Sequence, residues 1–351
     1  MPIDVLIVGQ GLAGSLLAWE LLQQDMQVMV VDPGEENASK VAAGLINPVT
    51  GQRLVKTAGV DFFLPAALIC YQALARQFKQ DFFISMDMLR VLKTPREQHY
   101  AQQRLHQIDY QDFLGSAAIQ PALIQQDYAV LLQQQTGYLK TRLLLAQLRE
   151  YLLAKDCYQQ TKLEYGDIQL QPELHWQDLQ PRHLVFCEGY QGRNNPWFGN
   201  LPFQPAKGEI LSCQSAQQWP KQILNFGYWL IPLENQSFRI GATFAPGATD
   251  NQPSSQAKEQ MLKGLTEICP TLQAIQVTEQ QVGIRPATQD KQPFIGRHPR
   301  YANLHIFNGF GAKGSMAIPW YARQFATALK QQTEFSATGQ VQRYYETHFS
   351  H

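Results

Sequence analysis

Nothing in these 351 residues reads as a membrane span, because no stretch approaches the roughly 18 consecutive apolar positions that a spanning helix needs. A secretory leader is not indicated either, since the first apolar run, residues 5–8, gives way at once to a glycine-rich turn. Charge bias is absent. Lys+Arg and Asp+Glu both number 29, so there is no basic stripe for a phosphate backbone, and nucleic acid is not expected as a partner. The five cysteines (Cys70, Cys157, Cys187, Cys213, Cys269) are scattered, odd in number and without a C-x-x-C pair, which argues against a zinc site and a disulfide framework. The histidines show no metal-ligand spacing, so no metal is expected. There is no G-x-S-x-G elbow, no assignable catalytic acid pair, no solenoid repeat and no low-complexity tract. The expectation is a cytoplasmic protein of two domains, or one body with two lobes, whose oligomeric state the sequence does not reveal.

What is present starts at the first residues. Residues 3–8 form a short β-branched run, followed by the turn G-Q-G-L-A-G, a helical pattern over 12–24 and a second apolar run over 28–31 that ends at Asp32. Helices are expected at 66–79, at 96–107 on the surface, and at 139–154. A strand is expected at 183–187, and a Gly/Pro/Asn-rich crossing between lobes at 189–208. From 209 to 244 short alternating or aromatic strands point to an antiparallel sheet. A helix near 255–268, strands at 277–284 and 304–308, a second glycine turn and a helix at 315–330 complete the pattern.

Gly9, Gly11 and Gly14 make G-x-G-x-x-G directly after a strand and at the head of a helix. The first glycine allows the tight turn, the second lets a pyrophosphate approach, and the third lets helix and strand pack closely. The helix N-terminus then offers free N–H groups to phosphate. Asp32, at the end of the second strand, suits a ribose hydroxyl and disfavours a 2′-phosphate, but does not separate NAD from FAD. A second glycine turn near the far end, Gly309, Gly311 and Gly314 in G-F-G-A-K-G, is explained by one cofactor long enough to touch both turns. It is also readable as packing alone.

With both ends in view the chain resembles the D-amino acid oxidase and glycine oxidase family of flavoenzymes, over nearly its whole length. The shared segments are the fingerprint through Asp32, S-K-V-A-A-G-L-I-N-P at 39–48, T-G-Y-L-K-T at 136–141 and F-C-E-G-Y at 186–190. Further along come Y-W-L-I-P and R-I-G-A-T within 228–243, and G-I-R-P-A-T-Q-D-K-Q-P-F-I-G at 283–296. The resemblance implies an α/β, two-lobed fold: a Rossmann-like FAD-binding domain (1–80, 136–205 and 280–351) with a discontinuous antiparallel-sheet substrate domain (81–135 and 206–279). It implies FAD held noncovalently, as no cysteine follows Cys269. Cofactor contacts would come from Gly9, Gly11, Leu12, Ala13, Gly14 and Asp32. Ser39, Ala42, Ala43, Gly44 and Leu45 would run along the pyrophosphate and the flavin edge, with Gly189 beside them. Gly311, Ala312, Lys313, Gly314, Ser315 and Met316 would wrap the pyrimidine end.

The same resemblance makes Arg285 the partner of a substrate carboxylate, a task suited to a guanidinium fork, and places it against the cofactor. An ion pair with Asp290 is the bland alternative. Tyr228 is a candidate donor to that carboxylate or a core aromatic, and Lys313 a cation near flavin or substrate or a solvated side chain. Arg53, in the segment N-P-V-T-G-Q-R from Asn47 on, is a weaker candidate for a second anion contact or an ordinary surface turn, and stays outside the catalytic set. The reaction implied is hydride transfer from a small amino acid or secondary amine to flavin, giving an imine that hydrolyses, with dioxygen or another acceptor reoxidising the cofactor. Other readings are a flavin oxidase of the tRNA-modifying kind acting on a carboxymethyl amine, and an FAD-binding protein without turnover. An NAD dehydrogenase fits least.

Overall fold

The computed structural model describes residues 1–117, 121–272 and 274–349. Strand β1 (Pro2–Val8) enters the glycine turn, followed by α1 (Leu12–Leu22) and β2 (Val28–Asp32). Then come α2 (Val60–Phe78), β3 (Met88–Leu92), α3 (Pro95–Leu105), β4 (Ala129–Gln133), α4 (Thr141–Leu153) and β5 (Tyr158–Gln160). The chain continues with β6 (Gln180–Phe186), β7 (Ala206–Gln214), β8 (Ile223–Asn225), β9 (Trp229–Pro232) and β10 (Ser237–Gly241). Last are α5 (Ser255–Ile268), β11 (Gln276–Arg285), β12 (Phe294–Arg297), β13 (Leu304–Asn308) and α6 (Gly314–Gln331).

One sheet has the order β5-β2-β1-β6-β13-β12, parallel except for β12. Its central strands end in apolar runs, VLIV in β1 and LVF in β6, because both faces are covered there. Leu16, Leu17, Phe307 and Phe325 pack on one side, and Trp176, Phe186, Phe198 and Leu304 on the other. Parallel strands share one carboxyl edge. Gly9 after β1, Asp32 at the end of β2, Gly189 after β6 and Gly309 after β13 therefore converge there, where open α/β sheets bind ligands.

The second sheet runs β11-β7-β10-β9-β8-β3-β4, with Ala245–Pro246 beside β7 and Leu114–Ser116 beside β4. Its neighbours are antiparallel, as expected, except for the parallel pair β3 and β8. Leu211, Leu230 and Ile240 pack under Met261 and Leu265 of α5, so alternate residues of each strand face the first lobe instead.

Four expectations change. Helix α2 starts at Val60 rather than 66 and runs through Pro65, which forgoes a hydrogen bond to the carbonyl of Asp61 in an exposed first turn. Strands β3 and β4 were not anticipated; β3 hides a charge, Arg90, paired with Glu97 at 2.7 Å. Glu97 in turn ties α3 inward, so that helix is not purely superficial: Thr94 caps it by accepting from Glu97 N–H, and Glu97 accepts from Lys93 N–H. The boundary at 280 falls inside β11, which pairs with β7 through Arg285 and belongs with the second sheet up to that residue.

Three histidines lie neutral within the first lobe. His298 is buried, accepts from Arg300 N–H, and has its pKa pressed down to about 4 by desolvation and then by Arg300. Burial also lowers His305 and His183, whose rings meet at 3.1 Å. The unfolded chain takes up these protons first, near pH 6.5, so stability is complete above that pH and falls as pH drops toward the folded values. Urea unfolding is expected to show a loss on the order of 1–2 kcal/mol from His298 alone between pH 7.5 and 5; a His298→Phe variant should lack that part of the slope.

Candidate functional site

The glycine turn is built by contact as much as by conformation. Gly9 has φ +103°, and a Cβ there would lie 2.6 Å from the carbonyl oxygen of Cys187. A Cβ at Gly14 would lie 1.9 Å from the carbonyl oxygen of Gly9. Ser39 Oγ accepts from Leu12 N–H at 3.0 Å and faces Gly11, bringing the 39–45 segment over the head of α1 alongside Ala13. Asp32 is held by the N–H groups of Gln10 (2.8 Å) and Gly34 (2.7 Å), with Arg149 3.8 Å away.

The T-G-Y-L-K-T segment straps the small residues in place. Leu139 N–H donates to Gly44 O, and Thr141 donates to Ala42 O at 3.0 Å. Tyr138 pairs with Leu45. Gly44 (φ +69°) tolerates no side chain, since its Cβ would meet Leu139 O at 2.1 Å, and Ala43 is buried beside it. Across the sheet edge, Asn308 donates to Gly189 O at 2.8 Å while its Oδ1 accepts from Gly309 N–H, joining the middle and last glycine loops. Asn308 was not anticipated; the signal for it is its position one residue before the loop. Gly311 N–H donates to Pro286 O, and Tyr71 donates to Ser315 O at 2.5 Å, with Ser315 and Met316 buried and Gly314 opening α6. Ala312 and Lys313 stay accessible.

These glycine loops fit an extended dinucleotide. At Gly189 (φ +59°) no protein atom lies within 4 Å of the Cβ position, and nothing but Ser39 crowds Gly11, so backbone is presented bare along one edge. Gly9, Gly11, Leu12, Ala13 and Gly14 would take the pyrophosphate, Asp32 a ribose, and the loops at 42–45, 189 and 311–316 the ring system.

Arg285 ends β11 and lies flat over Gly208 of β7, where a Cβ would come within 2.4 Å of both terminal nitrogens. Its Nη1 donates to Thr243 O (3.2 Å) and Lys207 O (3.5 Å), and the exposed Phe244 ring stands 5.9 Å away. Desolvation lowers its pKa, and among the described residues it has no ion-pair partner. Asp290, the alternative partner, pairs with Arg343 at 2.7 Å. The guanidinium is brought to the cofactor edge by Pro286, the acceptor for Gly311 N–H, and by Gly283, packed on Ala38 and Val41.

Tyr228 is not brought there. Its ring lies 3.1 Å from the Cβ position of Gly264 in α5, under the opposite face of the second sheet. Strand alternation gives the inner face to Trp229, whose indole leans over Gly241 and shares an apolar cluster with Ala43 and Leu45. The Tyr228 ring fills the space that the missing side chain of Gly264 leaves on α5, a match that lies too far apart in sequence to be read from either residue alone. Lys313 is accessible, with its pKa lowered by partial desolvation and then by Lys291. Arg53 is exposed on the turn between Val49–Thr50 and Val55–Lys56.

Residues 4–328 match the family model described as "DAO: FAD dependent oxidoreductase". The chain is 24% identical to a glycine oxidase of Pseudomonas aeruginosa over 93% of its own length and 94% of that protein's. It is 28% identical over 145 residues to a glycine oxidase of Bacillus subtilis, 40% of this chain and 39% of the relative. Against the tRNA 5-methylaminomethyl-2-thiouridine biosynthesis bifunctional protein MnmC of Idiomarina loihiensis it is 23% identical over 93% of its length, spanning 55% of that protein. The crystal structure of glycine oxidase from Bacillus cereus superposes with a TM-score of 0.80 at 17% identity, covering 95% of this chain and 99% of that one. Among the described residues no helix is long and apolar enough to cross a membrane.

Gly14→Ala is expected to weaken FAD retention at least tenfold, about 1.4 kcal/mol, because the turn must open to admit the methyl group. The check is visible absorbance per mole of protein after gel filtration; wild-type yield would show that the contact at Gly9 relaxes freely.

Proposed function

The chain belongs to the FAD-dependent oxidoreductase family, DAO, and from that premise we propose that it oxidises the C–N bond of a small amine bearing a carboxylate, an amino acid or an N-substituted glycine. The observation that carries this reading is Arg285: a desolvated guanidinium without an acidic partner among the described residues, set at the edge where the glycine loops meet. A carboxylate there would gain a charge-assisted, bidentate pair in a site that amplifies it.

Bound FAD supplies the hydride acceptor. The protein's own contribution is position. Arg285 fixes the carboxylate end, Thr243 O and Lys207 O fix Arg285, and Gly208 leaves it room to lie flat. Trp229 and Phe244 are apolar walls that thin the water around the reacting carbon. No side chain at this edge is assigned as a general base, and an amine that binds deprotonated needs none. The match to MnmC along most of the chain favours a second reading, in which the amine is attached to a tRNA base. The balanced formal charge speaks against it.

Anaerobic addition of glycine, sarcosine and D- and L-amino acids to the yellow protein should bleach the flavin for at least one class. In Arg285→Ala the KM for that substrate should rise by about 10²-fold or more, an interaction of roughly 3 kcal/mol, with flavin content unchanged. Arg285→Lys should recover only part of this, as it keeps the charge and loses the fork. A flavin that no amine bleaches, or an Arg285→Ala enzyme with unaltered KM, would remove the proposal.

A further inference from the structure

A second polar cluster lies on the inner face of the substrate sheet, one strand beyond Trp229. Asn225 of β8 is the direct cross-strand partner of Trp229, and Arg90 of β3 is the partner of Asn225 on the other side. Asn47, two residues past Leu45, reaches the same place from the first lobe. The carboxamide nitrogens of Asn47 and Asn225 both stand 3.5 Å from Met88 Sδ.

The orientation of both amides is imposed by neighbouring donors: the Val49 N–H, the Arg90 guanidinium, and a Gln133 amide whose Nε2 is itself fixed by donating to Val49 O at 2.8 Å. Asn47 Oδ1 accepts from Val49 N–H at 3.1 Å and from Gln133 Nε2 at 3.4 Å. Asn225 Oδ1 accepts from Arg90 Nη1 at 2.9 Å, and Arg90 is itself anchored by Glu97 at 2.7 Å. Turning either amide over would set donor against donor, so both NH2 groups must point toward Met88. A thioether is a weak acceptor. Two amide nitrogens thus share one poor partner, leaving N–H groups over for another acceptor, and both asparagines remain partly accessible while Met88 and Gln133 are buried.

From this convergence we infer that Asn47 and Asn225 form a second substrate contact, which takes an oxygen acceptor on the far arm of the amine. This rests on the reading of Arg285 as the carboxylate anchor. Asn225 is level with Trp229, Gly241 and Ile210, whereas Arg285 lies over Gly208, two residues farther along, and reaches toward β10 to donate to Thr243 O; from there Asn225 is two strands and two residues away, or about 12 Å at the usual spacings. An amine with a carboxymethyl group on each side of nitrogen measures roughly 5 Å between its carboxyl carbons. One C–O bond and one hydrogen bond at each end, about 1.2 and 2.9 Å, extend its reach to about 13 Å. Glycine is too short to touch both ends. The substrate class is therefore a secondary amine with a carboxylate on one arm and a carboxylate or carbonyl on the other, and Trp229 between the two contacts forms the floor.

The test uses the FAD-loaded protein with oxydiacetate, an ether that cannot be oxidised as an amine, and methoxyacetate, which lacks the second carboxylate. Flavin spectral titration should give a Kd for oxydiacetate at least tenfold lower than for methoxyacetate, and Asn47→Ala should reduce that preference to about threefold or less at unchanged FAD content and Tm. In turnover, iminodiacetate should exceed sarcosine in kcat/KM by tenfold or more, with Asn47→Ala lowering the former and leaving the latter within about threefold. Equal binding of the two ethers, or equal losses on both amines in the variant, overturns the second contact while leaving Arg285 in its role. A protein bleached by neither amine, and indifferent to both ethers, overturns the underlying reading together with it.

Discussion

Partial withdrawal of a guanidinium from water without a counter-ion is costly, and among the described residues Arg285 has two carbonyl oxygens and an aromatic ring, but no acid, beside it. Much of the second sheet is arranged around this cation. Gly208 and Gly283 sit opposite one another on β7 and β11; the first gives the guanidinium a bare floor, and the second lets β11 approach the 38–41 turn. Asp290 is engaged with Arg343, and Glu209 with Ser254 and Gln280. A cation left without an acid among the described residues is the feature on which the carboxylate reading rests.

The first lobe solves a different problem with the same residue type. A dinucleotide needs backbone within reach along its whole length, and side chains at Gly9, Gly14 or Gly44 would collide with main-chain carbonyls. The parallel strands bring those loops to one edge, while Asn308 and the strap at 136–141 hold them in register with one another. Arg285 reaches that edge because its own strand continues into Pro286, the acceptor for Gly311. The 311–316 loop and the Arg285 guanidinium are thus joined through one short peptide.

The fingerprint, β2 ending at Asp32, α5 and the closing strand–loop–helix were legible because each is a local pattern with a mechanical reason. What stayed hidden depends on partners far away in sequence. Strand β3 carries an arginine in its middle, and only the buried Glu97 of the following helix makes MLRVL a core strand. Which of Tyr228 and Trp229 faces the ligand is a question of strand parity, and a one-residue shift exchanges the two faces. The family motif located the strand, but only its pairing, Trp229 opposite both Gly241 and Asn225, decided the face.

Parity also explains why a polar contact can exist beside so apolar a wall. Met88, Arg90, Ile223, Asn225, Trp229 and Ile231 occupy alternate positions on three adjacent strands, so hydrophobic and amide groups are presented together at fixed spacing on rigid elements. Donors set on strands lose little freedom when they bind. A strong internal acceptor in place of the Met88 sulfur would compete for both amide N–H groups, whereas a thioether, a weak acceptor, competes little. The same logic governs Arg285, whose carbonyl contacts fix its plane and leave its charge unanswered.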